Sequence, residues 1–142
     1  MLSLLTARRA VIGSIAAILI LTVLEFPPPI GFETRPQADV SPFWFVFFIL
    51  ILMVEIATIP LIYKSVKLGA MLGILASVLN VIQVIADQVH LMQPEVAPLG
   101  YSLLEVTVLV ASIALAYFSL IALLYSRKFP STTLQREKTI PA

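Results

Sequence analysis

Four polar side chains share one face of the third hydrophobic segment of this chain. Asn80, Gln83, Asp87 and His90 follow one another at intervals of three, four and three residues. At about 100° per residue, this spacing places them within an arc of roughly 80° on one face of a helix. Such a face could bind a ligand, although Asn80 and Gln83 could equally form hydrogen bonds between helices.

The fourth hydrophobic segment carries a second polar face. A short turn joins the third and fourth segments, so we expect antiparallel neighbours with Glu105 and Asp87 at a similar depth. Two carboxyl groups there would repel each other unless a proton, a cation or a base lies between them. We therefore predict a ligand-binding cluster beneath the outer surface. Its members are Asp87, His90, Glu105, Tyr101, Asn80 and Gln83.

The nature of the ligand stays open between a quinone, a lipid and a single metal ion. Asp87-x-x-His90 resembles half of the carboxylate-x-x-His pattern of metal sites in helical bundles. Glu105 could add a third ligand, so Asp87, His90 and Glu105 form a candidate mononuclear metal site. His90 could also simply be solvated, because it falls near the membrane interface.

Small residues continue the same face of the third segment toward its start. Gly69 and Gly73 form a Gly-x-x-x-Gly pair, with Ser77 near its edge. Small residues let a neighbouring helix approach closely, so these three are predicted to serve helix packing. Glu55 lies about 20 Å along the second segment. It is therefore predicted to belong to the inner half, outside the cluster.

Four apolar segments must position these residues. The 142 residues are 60% hydrophobic and 12% charged, with a mean hydropathy of +1.04, whereas soluble domains are about 45–50% apolar and about 25% charged. A helix crosses the bilayer with about 20 residues. We predict an all-α, integral membrane four-helix transmembrane bundle over residues 1–128. Its spans are expected at about 8–26, 42–63, 68–92 and 99–126, with a Pro-rich outer loop at 27–41 and a short polar cytoplasmic tail at 129–142.

The basic residues sort to one side of this arrangement. Only Arg35 falls on the other side. Because Lys and Arg accumulate on the cytoplasmic side, both termini are predicted to lie in the cytoplasm, with the chain in the cell membrane. The basic residues on the inner side are Arg8, Arg9, Lys64, Lys67, Arg127, Lys128, Arg136 and Lys138, and the acids on the outer side are Glu25, Glu33, Asp39 and Glu95.

Several classes of chemistry are excluded by residue type. The chain contains no cysteine, which excludes disulfides, thiolate metal sites and cysteine-ligated iron–sulfur clusters. The sequence has no Gly-rich phosphate loop, no Gly-x-Ser-x-Gly and no His-Glu-x-x-His motif. The basic residues flank the spans and do not form a nucleic-acid patch. A non-catalytic role is therefore favoured.

The general layout resembles the DoxX-like group of small four-helix membrane proteins. The resemblance rests on Arg8 and Arg9 before the first span, Glu55 within the second, the basic turn 63–67, and the small residues that begin the third span. It implies a role as an accessory or quinone-linked subunit of a membrane redox system. Glu55 is the residue that the resemblance would carry over.

Three kinds of function follow from these observations. The first is a non-catalytic accessory or subunit of a larger membrane complex, possibly a redox or transport complex. Its partners would be lipid and other membrane subunits or further copies of the chain, and no nucleic acid. The alternative is an intramembrane ligand-, quinone- or metal-binding protein that uses the polar cluster near the outer leaflet. A third reading, the movement of protons or a solute, finds no inverted repeat to support it.

Overall fold

The computed structural model describes residues 3–26, 29–31, 41–92 and 98–128. This part of the chain forms four α-helices, all of them long and apolar enough to cross a membrane. The prediction of an all-helical, four-span membrane bundle is confirmed at this level. Most of the predicted outer loop and all of the tail 129–142 lie outside the described residues. The helices are α1 (Leu4–Leu24), α2 (Pro42–Lys64), α3 (Val66–Gln88) and α4 (Leu99–Lys128).

Local sequence explains where the first two helices begin. The Ser3 side chain accepts a hydrogen bond from the Thr6 N–H at 3.1 Å, so α1 starts a turn earlier than residue 8. Pro42 is the first residue of α2, a position where its missing N–H has no partner to lose. Pro60 lies inside α2 without ending it, since the helix continues to Lys64.

A single residue, Ser65, connects α2 to α3. Its N–H donates to Leu61 O at 2.7 Å, and its side chain accepts from the Leu68 N–H at 3.4 Å. Such a short connection brings the two helix ends very close together. A Cβ atom at Gly69 would collide with the backbone of Leu61 and Ile62, and backbone atoms have little freedom to move aside. Glycine at 69 therefore permits the tight α2–α3 hairpin.

The helices form a ring that is incompletely closed. α3 packs along α2 and α4, and α4 also packs along α1, whereas α1 and α2 touch over a much shorter stretch. The ring order is therefore α2, α3, α4, α1, with a cleft between the first and the last. Ile15, Ile18, Ile62 and Leu115 are fully buried at its centre.

The buried face of α4 repeats every seven residues. Glu105, Ser112 and Ser119 occupy one line of this face, and all three are buried. A seven-residue repeat keeps one helix face against its neighbour over many turns. The apolar members of the same face are Val108, Leu115 and Ala122.

Two contacts set the antiparallel register of α3 against α4. The Ser77 hydroxyl donates to Ser112 O at 2.5 Å. One turn closer to the start of α3, a Cβ atom at Gly73 would meet the Ser119 hydroxyl. The two helices are therefore in close contact in the half of the bundle nearer the α2–α3 turn.

Gly69→Ala is expected to destabilise the protein by about 1–3 kcal/mol, because the added methyl group meets fixed backbone. Gly13→Ala is the matched control, since Gly13 has open space around its Cβ position. The control should be neutral or stabilise α1 by about 0.5–1 kcal/mol through helix propensity. Unfolding of both variants in detergent micelles, followed by circular dichroism, measures the difference. Equal effects of the two substitutions would contradict the close approach at Gly69.

Candidate functional site

Glu55 of α2 is buried in the middle of the bundle with no exposed surface. The Asn80 amide of α3 donates to Glu55 Oε1 at 2.6 Å, and the same nitrogen donates to Ala76 O at 3.1 Å. The other carboxyl oxygen, Glu55 Oε2, is buried and has no hydrogen-bond partner. One half of this carboxyl group is thus fixed, and the other half is left unsatisfied.

The contact between Glu55 and Asn80 corrects the prediction that Glu55 lies outside the cluster. That prediction compared backbone depths. Counted from Ser65 at 1.5 Å per residue, the two Cα atoms differ in depth by about 7.5 Å. Side chains on a helix lean toward its N-terminus, however. Because α2 and α3 run in opposite directions, Glu55 leans away from the α2–α3 turn while Asn80 leans toward it. The two side chains therefore meet between their backbone positions.

A second group of polar side chains lies nearer the end of the bundle opposite the α2–α3 turn, which we call its outer end by position alone. Asp87 and Glu105 are both buried, and their carboxyl groups are hydrogen-bonding neighbours. The Gln88 amide donates to Glu105 Oε2. A hydrogen bond between two carboxyl groups requires that one of them carries the proton. The structure thus brings together the two acids whose similar depth the sequence suggested.

A small cavity separates these two groups of side chains. All four helices contribute to its wall, and Gln83 adds a second buried acceptor, its Oε1, that has no partner. The space available is about that of one water molecule. The polar lining residues are Thr22, Glu25, Glu55, Asn80, Gln83 and Glu105, and the apolar ones are Phe48, Ile51, Leu52, Val84 and Val108.

Hydrogen-bond acceptors outnumber donors among the residues that line the cavity, whose donors are the Asn80 and Gln83 amides and the Thr22 hydroxyl. Glu25, Glu55 and Glu105 supply carboxyl groups, whereas no Lys, Arg or His is among the residues that line it. The Asn80 amide already donates to Glu55 and Ala76. A species placed in the cavity would therefore have to donate hydrogen bonds or carry positive charge. We call the polar residues that line the cavity, together with Asp87 and Gln88, the outer polar cluster.

His90 does not extend the polar face of α3, which corrects its predicted position. α3 ends at Gln88, and the His90 N–H and Leu91 N–H turn back to Asp87 O at 2.9 Å and Ala86 O at 2.8 Å. This pair of bonds is the Schellman pattern of a helix C-terminus, in which one residue adopts the left-handed conformation. His90 is that residue, with φ of 59°, and it is exposed.

The predicted metal-ligand set of Asp87, His90 and Glu105 is not assembled. Among the residues that the structure describes, no three His, Cys, Asp or Glu side chains are placed to hold a metal ion together. The reason is the end of α3, which turns His90 away from the buried carboxyl groups. Tyr101 is half-buried in the first turn of α4 and does not line the cavity.

Aromatic residues hold the outer end of the bundle above the cavity. The Trp44 Nε1–H donates to Leu91 O at 3.0 Å, which ties the start of α2 to the turn after α3. Phe26 and Phe48 meet edge to face across the α1–α2 cleft, with ring centroids 6.4 Å apart. Because Phe48 also lines the cavity, this contact closes the cleft at the level of the cluster.

Four cluster residues were not among the predicted ligands. Glu55 was excluded by its depth, and Gln88 lies one position beyond Asp87. Thr22 lies in the last turn of α1, and Glu25, which caps α1, was assigned only to the outer side of the membrane. Thr22 and Glu25 are three residues apart and so share one helix face. That spacing is the signal that could have placed α1 at the site.

Comparisons with family models, curated proteins and solved structures give no match to this chain. The resemblance to the DoxX-like group therefore stays a prediction.

Proposed function

We propose that this chain is an intramembrane binding protein that holds a small polar ligand in the outer polar cluster. The observation that supports the proposal is Glu55 Oε2, a fully buried acceptor without a partner, at a cavity that all four helices line. A buried polar group that lacks its hydrogen bond costs about 1–3 kcal/mol of stability. A ligand that donates to this oxygen would remove that cost.

The size of the cavity favours a small ligand over a quinone. Its space of about one water molecule is far smaller than a quinone ring. The short α1–α2 contact supplies the route of entry that the proposal needs. A ligand would pass between Phe26 and Phe48 to reach the carboxyl groups behind them.

A second proposal is that the chain is a non-catalytic subunit of a larger membrane complex. The observation that favours it is again the incompletely closed side of the ring. A transmembrane helix of another subunit, or of a second copy, would cover the α1–α2 cleft and complete the bundle. Lipid would contact the remaining exposed apolar faces. The two proposals are compatible, since a partner helix would also control entry to the cavity.

We further propose that the chain lies in the cell membrane with both termini in the cytoplasm. Arg8 and Arg9 at the start of α1, Lys64 and Lys67 around the α2–α3 turn, and Arg127 at the end of α4 share one end of the bundle. Positive residues favour the cytoplasmic side of a membrane. The outer polar cluster would then face the outer leaflet.

Glu55→Met is expected to leave the stability of the ligand-free protein unchanged or to raise it. The substitution removes an unsatisfied buried oxygen, which offsets the loss of one Asn80 N–H bond, while the bond from Asn80 to Ala76 O remains. Ser77→Ala is the matched comparison, since Ser77 makes a satisfied bond between helices. It should lower stability by about 0.6 kcal/mol. Apparent melting temperatures in detergent test both. A fall in melting temperature for Glu55→Met larger than that for Ser77→Ala would mean that Glu55 serves folding, and the ligand proposal would fail.

The subunit proposal predicts a stoichiometric partner after gentle purification from native membranes. Mass spectrometry of the protein in mild detergent identifies the partner, and size-exclusion chromatography with light scattering measures the assembly. Truncation of a side chain at the cleft, Phe26→Ala, should weaken partner binding, whereas Leu103→Ala on the exposed face of α4 should leave it unchanged. A monodisperse single chain after extraction from native membranes in mild detergent would contradict this proposal.

The proposed orientation predicts opposite labelling of two single-cysteine variants. The chain has no native cysteine, so Ser41→Cys and Ser65→Cys each carry one thiol, at exposed positions on opposite ends of α2. In intact cells a membrane-impermeant maleimide should label Cys variants at 41 and not those at 65. After permeabilisation, both should react. The reverse pattern would place the termini outside.

A further inference from the structure

We propose that the ligand of the outer polar cluster is a small monovalent cation that carries N–H donors, an ion of the ammonium type. This inference rests on the proposed function and names the chemical class of its ligand. The observation behind it is a pair of buried acceptors, Glu55 Oε2 and Gln83 Oε1, that have no donor and line one cavity.

The acidic residues that line the cavity favour a cation as its ligand. Glu25, Glu55 and Glu105 line the cavity, and none of the residues that line it is basic. Glu25 caps the C-terminus of α1, and Asp87 lies in the last turn of α3. The dipole of each helix disfavours a negative charge at its C-terminal end. Asp87 and Glu105 share one proton, so a cation would neutralise the negative charge that remains on the cluster and would offset the unfavourable dipoles.

The arrangement of the carboxyl groups favours a single positive charge over a divalent metal. No three acidic or imidazole groups within the described residues converge as a metal site requires. Calcium takes 6–8 oxygen ligands and magnesium demands near-ideal octahedral geometry. The cluster instead presents separated acceptors, two of which already accept from the amides of Asn80 and Gln88.

The size and bonding of the site favour ammonium among monovalent cations. The cavity accommodates about one water molecule, and an ammonium ion is of similar size. Its four N–H groups satisfy a few acceptors directly, whereas an alkali ion of the same radius needs a more complete shell of oxygen atoms. The unpartnered Glu55 and Gln83 oxygens would each receive one N–H.

The half of the bundle nearer the α2–α3 turn is closely packed and closes the cavity on that side. Below the cavity, Ser77 is bonded to Ser112 O, and Gly73 lies tightly against the Ser119 hydroxyl. Because this half is tightly packed, the ion can enter or leave only through the α1–α2 cleft or at the outer end. Exchange through the cleft requires the edge-to-face contact between Phe26 and Phe48 to open.

The test compares ammonium with potassium, an ion of nearly the same radius that has no hydrogen atoms to donate. Wild-type protein in phosphatidylcholine nanodiscs is melted at pH 7 in equal concentrations of ammonium, potassium or sodium chloride. The fluorescence of Trp44, the single tryptophan, reports unfolding. Ammonium at about ten times its Kd should raise the melting temperature by about 4 °C over the other two salts.

Two variants and one control locate the effect. Glu55→Gln and Gln83→Leu should each abolish the ammonium-specific rise, and either one suffices if the other fails to fold. Thr107→Val is the control, because Thr107 is exposed on α4 and bonds only within its own helix, to Leu103 O at 2.8 Å. It should retain the full rise.

Each other outcome overturns the inference in a distinguishable way. An equal rise with potassium would show a cation site without N–H donation, and the proposed binding function would stand. No rise with any salt would mean that the ligand is uncharged, and the Glu55→Met comparison would then decide whether a ligand is bound at all. A rise that survives both Glu55→Gln and Gln83→Leu would place ammonium elsewhere on the protein.

Discussion

The hydrogen bond from Asn80 to Glu55 sets the rotation of α2 in this bundle. A polar side chain surrounded by hydrocarbon has no water to bond with, so it must find its partner inside the protein. Once Glu55 faces Asn80, the residues one and two turns away on α2 face inward as well. Phe48, Ile51 and Leu52 thereby line the cavity, and Thr58 and Ile62 enter the buried core.

The seam between α3 and α4 differs at its two ends because its residues differ in size. Near the α2–α3 turn, Gly73 and Ser77 let α4 approach until side chain meets backbone. Toward the outer end, the same face carries Asn80, Gln83 and Asp87, which are larger and polar. Helices separated by larger side chains leave space between them, and polar groups keep that space hydrophilic. The cavity is thus a consequence of a gradient in residue size along one helix.

The short contact between α1 and α2 gives the bundle one side that differs from the others. α1 is held mainly by α4, and its Thr22 and Glu25 reach the cavity from the edge of the cleft. Because few contacts join α1 to α2, a small displacement between them costs less than one at the α3–α4 seam. Ligand exchange and partner binding, if both occur, would therefore act on the same side of the protein.

Hydrophobicity and charge in the sequence determine the class of protein and its segmentation, since a bilayer fixes the length of a span. The spacing of Asn80, Gln83 and Asp87 likewise places them on one face of α3, because helical periodicity is a local property. What the tertiary structure decides is which side chains meet. Glu55 joins Asn80 because two antiparallel helices direct their side chains toward each other, and Glu25 joins the site because α1 packs on α4. His90 leaves it because the last turn of α3 closes by backbone hydrogen bonds. Each of these outcomes depends on a neighbouring helix or on a helix end. The pattern of residues within one segment gives no information about either.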